Sequence, residues 1–133
     1  MSDVKRKILI LEDEADVATY LATLFEDNGY LTDIAASVQE GMEKAKASPP
    51  DLISLDIAMP EKSGVGFYRE IKDDPTLSKI PVVVVTGVTG YGGDPEGFRR
   101  FLSTRKRVPP PDGFIAKPID RDKLLRVVRD LLA

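Results

Sequence analysis

Four short apolar runs, separated by stretches of helical periodicity, constrain this chain more than any other feature. The runs are 8–11 (Ile-Leu-Ile-Leu), 52–55 (Leu-Ile-Ser-Leu), 82–85 (four valines) and 114–116 (Phe-Ile-Ala). Runs of this length, aliphatic or β-branched and mostly without polar alternation, suit strands buried on both faces of a parallel sheet. A fifth, weaker strand is expected at 31–35, after the turn signal Asn28-Gly29. Between the runs lie amphipathic stripes. Val17, Leu21, Leu24 and Phe25 form one, and Asn28-Gly29 suits its end. Val38, Met42 and Ala45 form a second, stopped near Pro49-Pro50; Phe67 and Ile71 mark a third. Leu124, Val128, Leu131 and Leu132 form the last, with Asp120 as its N-cap. A further helix is expected within 95–106, using Phe98, Phe101 and Leu102. Strand then helix, five times over, predicts a doubly wound α/β domain with right-handed crossovers. At 133 residues the expectation is a single domain.

In open parallel sheets, sites form at the carboxyl ends of the strands. The residues that follow the apolar runs are therefore the ones to inspect. Glu12 and Asp13 follow the first, Asp56 the second, Thr86 the third and Lys117 the fourth. Three converging carboxylates repel one another, and a bound divalent cation relieves that. Hard oxygen donors select Mg²⁺ or a similar ion, with water and a phosphate oxygen completing the shell. Lys117 adds positive charge for an anionic group. A carboxylate nucleophile, a metal, a lysine and a hydroxyl together suit phosphoryl transfer. The chain has no histidine and no cysteine. It is therefore not a phosphohistidine donor, and disulfide and thiolate chemistry are excluded.

The motifs 8–14 (Ile-Leu-Ile-Leu-Glu-Asp-Glu), 55–60 (Leu-Asp-Ile-Ala-Met-Pro) with Gly64, 85–87 (Val-Thr-Gly) and 114–118 (Phe-Ile-Ala-Lys-Pro) occur in that order. Together they resemble the receiver domain of bacterial two-component response regulators, over nearly the whole chain. The resemblance implies a flavodoxin-like (βα)5 fold with a five-stranded parallel sheet of order 2-1-3-4-5. It implies Asp56 as the phosphoacceptor, supplied by a sensor histidine kinase or a phosphotransfer protein. It implies Mg²⁺ held by Asp13 directly, by Glu12 through water, by Asp56 and by the backbone carbonyl of Ala58. Lys117 would contact the phosphoryl oxygens, and Thr86 and Phe114 would move as the switch. Two departures stand out. The stretch from Thr86 to Lys117, centred on 87–113, is longer than in typical receivers. Ala58 and Val88 are apolar where relatives often carry polar residues that tune dephosphorylation.

Each acid also suits a plain role when taken singly. Glu12 and Asp13 fit the first turn of a helix, and Asp56 fits a turn before Met59-Pro60. Thr86 suits a loop cap and Phe114 a core aromatic. Their joint placement at strand ends favours the phosphorylation switch. The alternative function is a pseudo-receiver, an interaction module that works without phosphorylation. A flavin or nucleotide binder would need a Gly/Ser/Thr loop where Glu12-Asp13-Glu14 stands. Arg99, Arg100, Arg105, Lys106 and Arg107 form a basic cluster, read as a solvated face or a docking surface. No nucleic-acid recognition motif accompanies it. No stretch has membrane-spanning length. The remaining expectations are a cytoplasmic location, a monomer or weak dimer, signalling through a downstream protein target, and no enzymatic action on an external metabolite.

Overall fold

The computed structural model describes residues 5–56, 64–86, 112–116 and 119–132. Strand and helix alternate along them: β1 (Lys7–Leu11), α1 (Ala15–Asp27), β2 (Leu31–Ala35), α2 (Val38–Ala47), β3 (Leu52–Leu55) and α3 (Gly64–Asp73). β4 (Val82–Thr86), β5 (Gly113–Ala116) and the C-terminal helix α4 (Arg121–Leu132) complete the described elements. The helix expected within 95–106 lies outside the described residues. The strands form one parallel sheet in the order β2-β1-β3-β4-β5, the order the resemblance implied.

The sheet is a central layer, because its inner strands are apolar on both faces. Leu9 and Leu11 of β1, Ile53 and Leu55 of β3, and Val82 and Val84 of β4 join one cluster with Phe67 and Ile71 of α3 and Ala45 of α2. The alternate residues Ile8, Ile10, Leu52, Val83 and Val85 join the other, with Leu21 and Phe25 of α1 and Leu124 and Val128 of α4. This two-sided burial is what uninterrupted apolar runs require, at about 1.5–3 kcal/mol per fully buried aliphatic side chain.

The helix ends follow local chemistry. The Asp120 carboxylate accepts the Lys123 N–H at 3.1 Å, capping α4 as expected. Gly29 ends α1 at φ +92°, a left-handed conformation that disfavours other residues. Ser37 caps α2 by accepting the Glu40 N–H, and the Glu40 carboxylate reaches back to the Ala36 N–H at 2.8 Å. This reciprocal pair is close to a capping box.

The starts of the strands carry a repeated device. Asp51, just before β3, accepts the Lys7 N–H at 2.8 Å and donates its own N–H to the Lys7 carbonyl at 2.8 Å. Asp112, just before β5, does the same with Val82, at 2.9 Å in both directions. Each aspartate follows a proline and pins its strand to the start of a neighbour.

Candidate functional site: an acidic pocket at the carboxyl ends of β1 and β3

The site begins with register. Leu11 of β1 pairs with Leu55 of β3, so the next residues, Glu12 and Asp56, leave the sheet side by side. Adjacent strands stand about 4.8 Å apart, which brings the two carboxylates together without any special loop. Chain order reverses here: β1 has β2 on one side and β3 on the other. This is the switch point of a doubly wound sheet, where a crevice opens beyond the strand ends.

Backbone bonds fix both acids. The Asp56 N–H donates to the Leu11 carbonyl, and the Glu12 N–H donates to the Ala35 carbonyl at the end of β2, each at 3.0 Å. The Glu12 carboxylate in turn accepts the Glu14 N–H at 3.2 Å. Glu12 and Asp56 are buried, at 2% and 4% exposure, while Asp13 is exposed at the mouth. One carboxylate oxygen from each of Glu12, Asp13 and Asp56 lies within 4.8 Å of the others. Asp16 is a further acid in the first turn of α1.

The donor set fits a hard divalent cation. All three groups are carboxylates. Two oxygens on opposite sides of one Mg²⁺ stand about 4.2 Å apart, so only small side-chain adjustments separate the observed spacing from a common shell.

β4 and β5 extend the same edge. Val84 pairs with Phe114 and Thr86 with Ala116, so both switch candidates lie on paired strands, Thr86 as the last residue of β4. Their backbone positions alone are described. Ala58, Lys117, Val88 and the basic cluster at 99–107 lie outside the described residues. The structure thus brings together Glu12, Asp13 and Asp56, and it places Thr86 and Phe114 on the strands expected of them.

The response regulator receiver domain model matches residues 8–129, from the second residue of β1 through most of the last helix. The chain belongs to the receiver domain family. The receiver is 33% identical to Protein Rrf1 of Nitratidesulfovibrio vulgaris over 96% of this chain and 83% of that protein. It is 32% identical to the polar-differentiation response regulator DivK of Brucella ovis, over 96% of both chains. Among solved structures, the signal receiver domain of a histidine kinase from Syntrophus aciditrophicus superposes with a TM-score of 0.79. It is 31% identical, over 96% of this chain and 89% of that one. Receiver domains generally bind Mg²⁺ at an acidic pocket, and the Glu12, Asp13 and Asp56 cluster of this receiver could hold a metal ion. No described helix is long and apolar enough to cross a membrane.

Sequence reading missed the groups that support these acids. The Glu14 N–H, the Ala35 carbonyl and the Ser37/Glu40 cap became visible only in three dimensions. The Ser-x-x-Glu spacing at 37–40 was a legible signal for the last of them.

Proposed function

We propose that this receiver is a phosphorylation-dependent switch in which Asp56 accepts a phosphoryl group from a partner's phosphohistidine. The supporting observation is the buried Asp56 at the end of β3, with carboxylate oxygens of Glu12 and Asp13 within 4.8 Å. An Asp56 carboxylate oxygen forms the new P–O bond as the P–N bond to the donor imidazole breaks. The imidazole leaves with the bonding pair. This chain has no histidine, so a kinase or phosphotransfer protein supplies the group. Asp13, Asp56 and the Ala58 carbonyl would hold Mg²⁺ directly, and Glu12 would hold it through water. The ion, when bound, neutralises charge on the transferring phosphoryl oxygens. Glu12 and Asp13 would keep that ion beside Asp56, above the apolar ends of β1 and β3.

Phosphorylation would replace the single carboxylate charge of Asp56 with close to two negative charges spread over the phosphoryl oxygens. Lys117 pairs with the phosphoryl oxygens, and Thr86 and Phe114 shift toward the site. The surface at the 87–113 segment and β5 then changes population and signals to a protein target. Chemistry on this chain is confined to its own phosphorylation and dephosphorylation, in the cytoplasm. The test is incubation with Mg²⁺ and a small phosphodonor, followed by intact mass, with Asp56→Asn as control. A Mg²⁺-dependent phosphoryl adduct on the unmodified chain alone supports the reading. No adduct, or an equal adduct on the variant, overturns it.

A further inference from the structure

The edge strand β2 is held from outside by one helix, and that hold leads directly to the acidic pocket. β2 pairs with β1 on one side, and among the described residues its other side has no strand neighbour. Such an edge presents unpaired backbone groups. Lys44 of α2 covers it: its ammonium donates to the Ile34 carbonyl at 2.5 Å and to the Asp33 carboxylate at 3.0 Å. The same ammonium stands 3.2 Å from Glu40 Oε2. The other oxygen of Glu40, Oε1, accepts the Ala36 N–H at 2.8 Å. Residues 33, 34 and 36 are therefore all tied to the Glu40–Lys44 pair.

The residue they bracket is Ala35. Its carbonyl accepts the Glu12 N–H at 3.0 Å, which sets where Glu12 leaves β1. Ala35 is fully buried and Glu12 is 2% exposed, so neither position has slack. The pull of the Ala36 N–H, followed by the Lys44 ammonium, holds the Glu40 carboxyl below its ordinary range, as an engaged carboxylate requires.

We infer that Glu40 is a positioning residue for the acidic pocket, holding the 34–36 segment so that the Ala35 carbonyl fixes Glu12. The inference rests on reading that pocket as a cation site. Glu40 touches neither the phosphoryl group nor the ion; it acts through Ala36, Ala35 and Glu12. The outer end of this relay, Lys44 and Asp33, is partly exposed. A surface charge cluster on β2 and α2 is thereby linked to cation affinity at the switch point.

The test compares the unmodified chain with Glu40→Ala and Glu40→Gln, by Mg²⁺ titration and by amide hydrogen exchange well below the melting temperature. Glutamine keeps an acceptor oxygen for the Ala36 N–H, whereas alanine removes it. Glu40→Ala should weaken Mg²⁺ binding about 3- to 10-fold, at or below the lower end of the effect of removing a group bonded directly to a ligand. Glu40→Gln should stay within about twofold of the unmodified chain. Exchange at the Glu12 and Ala36 amides should quicken in the alanine variant and recover in the glutamine variant. A role in helix stability alone would lower the melting temperature and leave Mg²⁺ affinity and Glu12 exchange unchanged, and that result overturns the inference. Equal Mg²⁺ loss in both variants overturns it as well. No Mg²⁺ binding by the unmodified chain overturns the cation reading, and the inference with it. Mg²⁺ binding of equal strength in all three proteins overturns the inference alone.

Discussion

Replacing Asp56 with asparagine should stabilise the metal-free protein and abolish its response to Mg²⁺. The three carboxylate oxygens lie within 4.8 Å of one another. At that distance a pair of like charges repels by about 3.5 kcal/mol at an effective dielectric of about 20, and by about 0.9 kcal/mol in bulk water. Neutralising Asp56 removes its pairs with Glu12 and with Asp13. The Glu12 pair, buried on both sides, belongs toward the higher figure; the Asp13 pair, with one exposed partner, toward the lower. Against this stands the loss of charge-assisted hydrogen bonding by Asp56, about 1.5–3 kcal/mol, of which the amide oxygen retains part. The net gain is about 1.5–3 kcal/mol. For a chain of this length that raises the melting temperature by about 5–12 °C. The assay is calorimetry of both proteins in EDTA and in saturating Mg²⁺. The unmodified chain should gain stability from Mg²⁺ by mass action, and the variant should gain almost none. Added salt should narrow the metal-free difference only in part, because buried charges are poorly screened. A variant less stable than the parent in EDTA, or one that gains as much from Mg²⁺, would refute the electrostatic account of the pocket.

Three further outcomes are expected. Gly41→Ala should cost up to about 2 kcal/mol in urea melts, because overpacking of about 1–3 kcal/mol is offset by a helix-propensity gain of about 1 kcal/mol. The added Cβ would collide with Leu11 Cδ1 and stand 3.3 Å from Phe67 Cε1, both side chains being buried; unchanged stability would show that Leu11 turns aside. Asp112→Ala should lose about 1–3 kcal/mol, since the Val82 N–H is left without its acceptor, and an unchanged midpoint would count against the strand-start device. Burial, with Asp112 adding to it, pushes the Tyr68 hydroxyl above its ordinary value of 10.0. A folded-state value above the unfolded one means that the contribution is complete below pH 10 and falls as pH rises beyond it. Tyr68→Phe should flatten that alkaline decline in thermal melts, and an identical decline in both proteins would place its origin elsewhere.

The fold was legible where burial is two-sided. β1, β3 and β4 are buried on both faces, so their apolar runs carry no solvent-facing interruption and stand out in the chain. β2 read weakly because it is an edge strand: Leu31 is exposed at 49% and Thr32, Asp33 and Ile34 are half-buried. Asp33 would look out of place in a buried strand, and at the edge it pairs with Lys44. The pocket was legible because a parallel register converts adjacent strand ends into adjacent side chains, so Glu12 and Asp56 needed only the strand order to meet. Their supports were illegible for a different reason. The Ala35 carbonyl and the Glu14 N–H belong to the backbone, and any residue type supplies them. The Glu40–Lys44 pair has helical i,i+4 spacing, but the reach of Lys44 to Asp33 and Ile34 joins a helix to a strand, which no local spacing announces.

Strand direction explains why aspartates of one type take opposite roles in this sheet. Asp51 and Asp56 lie at the two ends of β3. At a strand's start, an aspartate meets the open N–H of its neighbour, as Asp51 meets Lys7 and Asp112 meets Val82. The negative charge finds a donor at once, and the result is a structural staple. At a strand's carboxyl end the backbone offers carbonyl oxygens, and the neighbouring strand adds another acid, so Asp56 meets Glu12 and Asp13. A bound cation would relieve that charge, and the same residue type then becomes a candidate for chemistry. The two positions should therefore part company under alanine or asparagine substitution. Asp51→Ala should lower stability by about 1–3 kcal/mol and leave Mg²⁺ affinity nearly unchanged. Asp56→Asn should raise metal-free stability and remove Mg²⁺ binding. If Asp51→Ala weakened Mg²⁺ binding as strongly as it weakened the fold, the two ends of β3 would be coupled and this division of labour would be wrong.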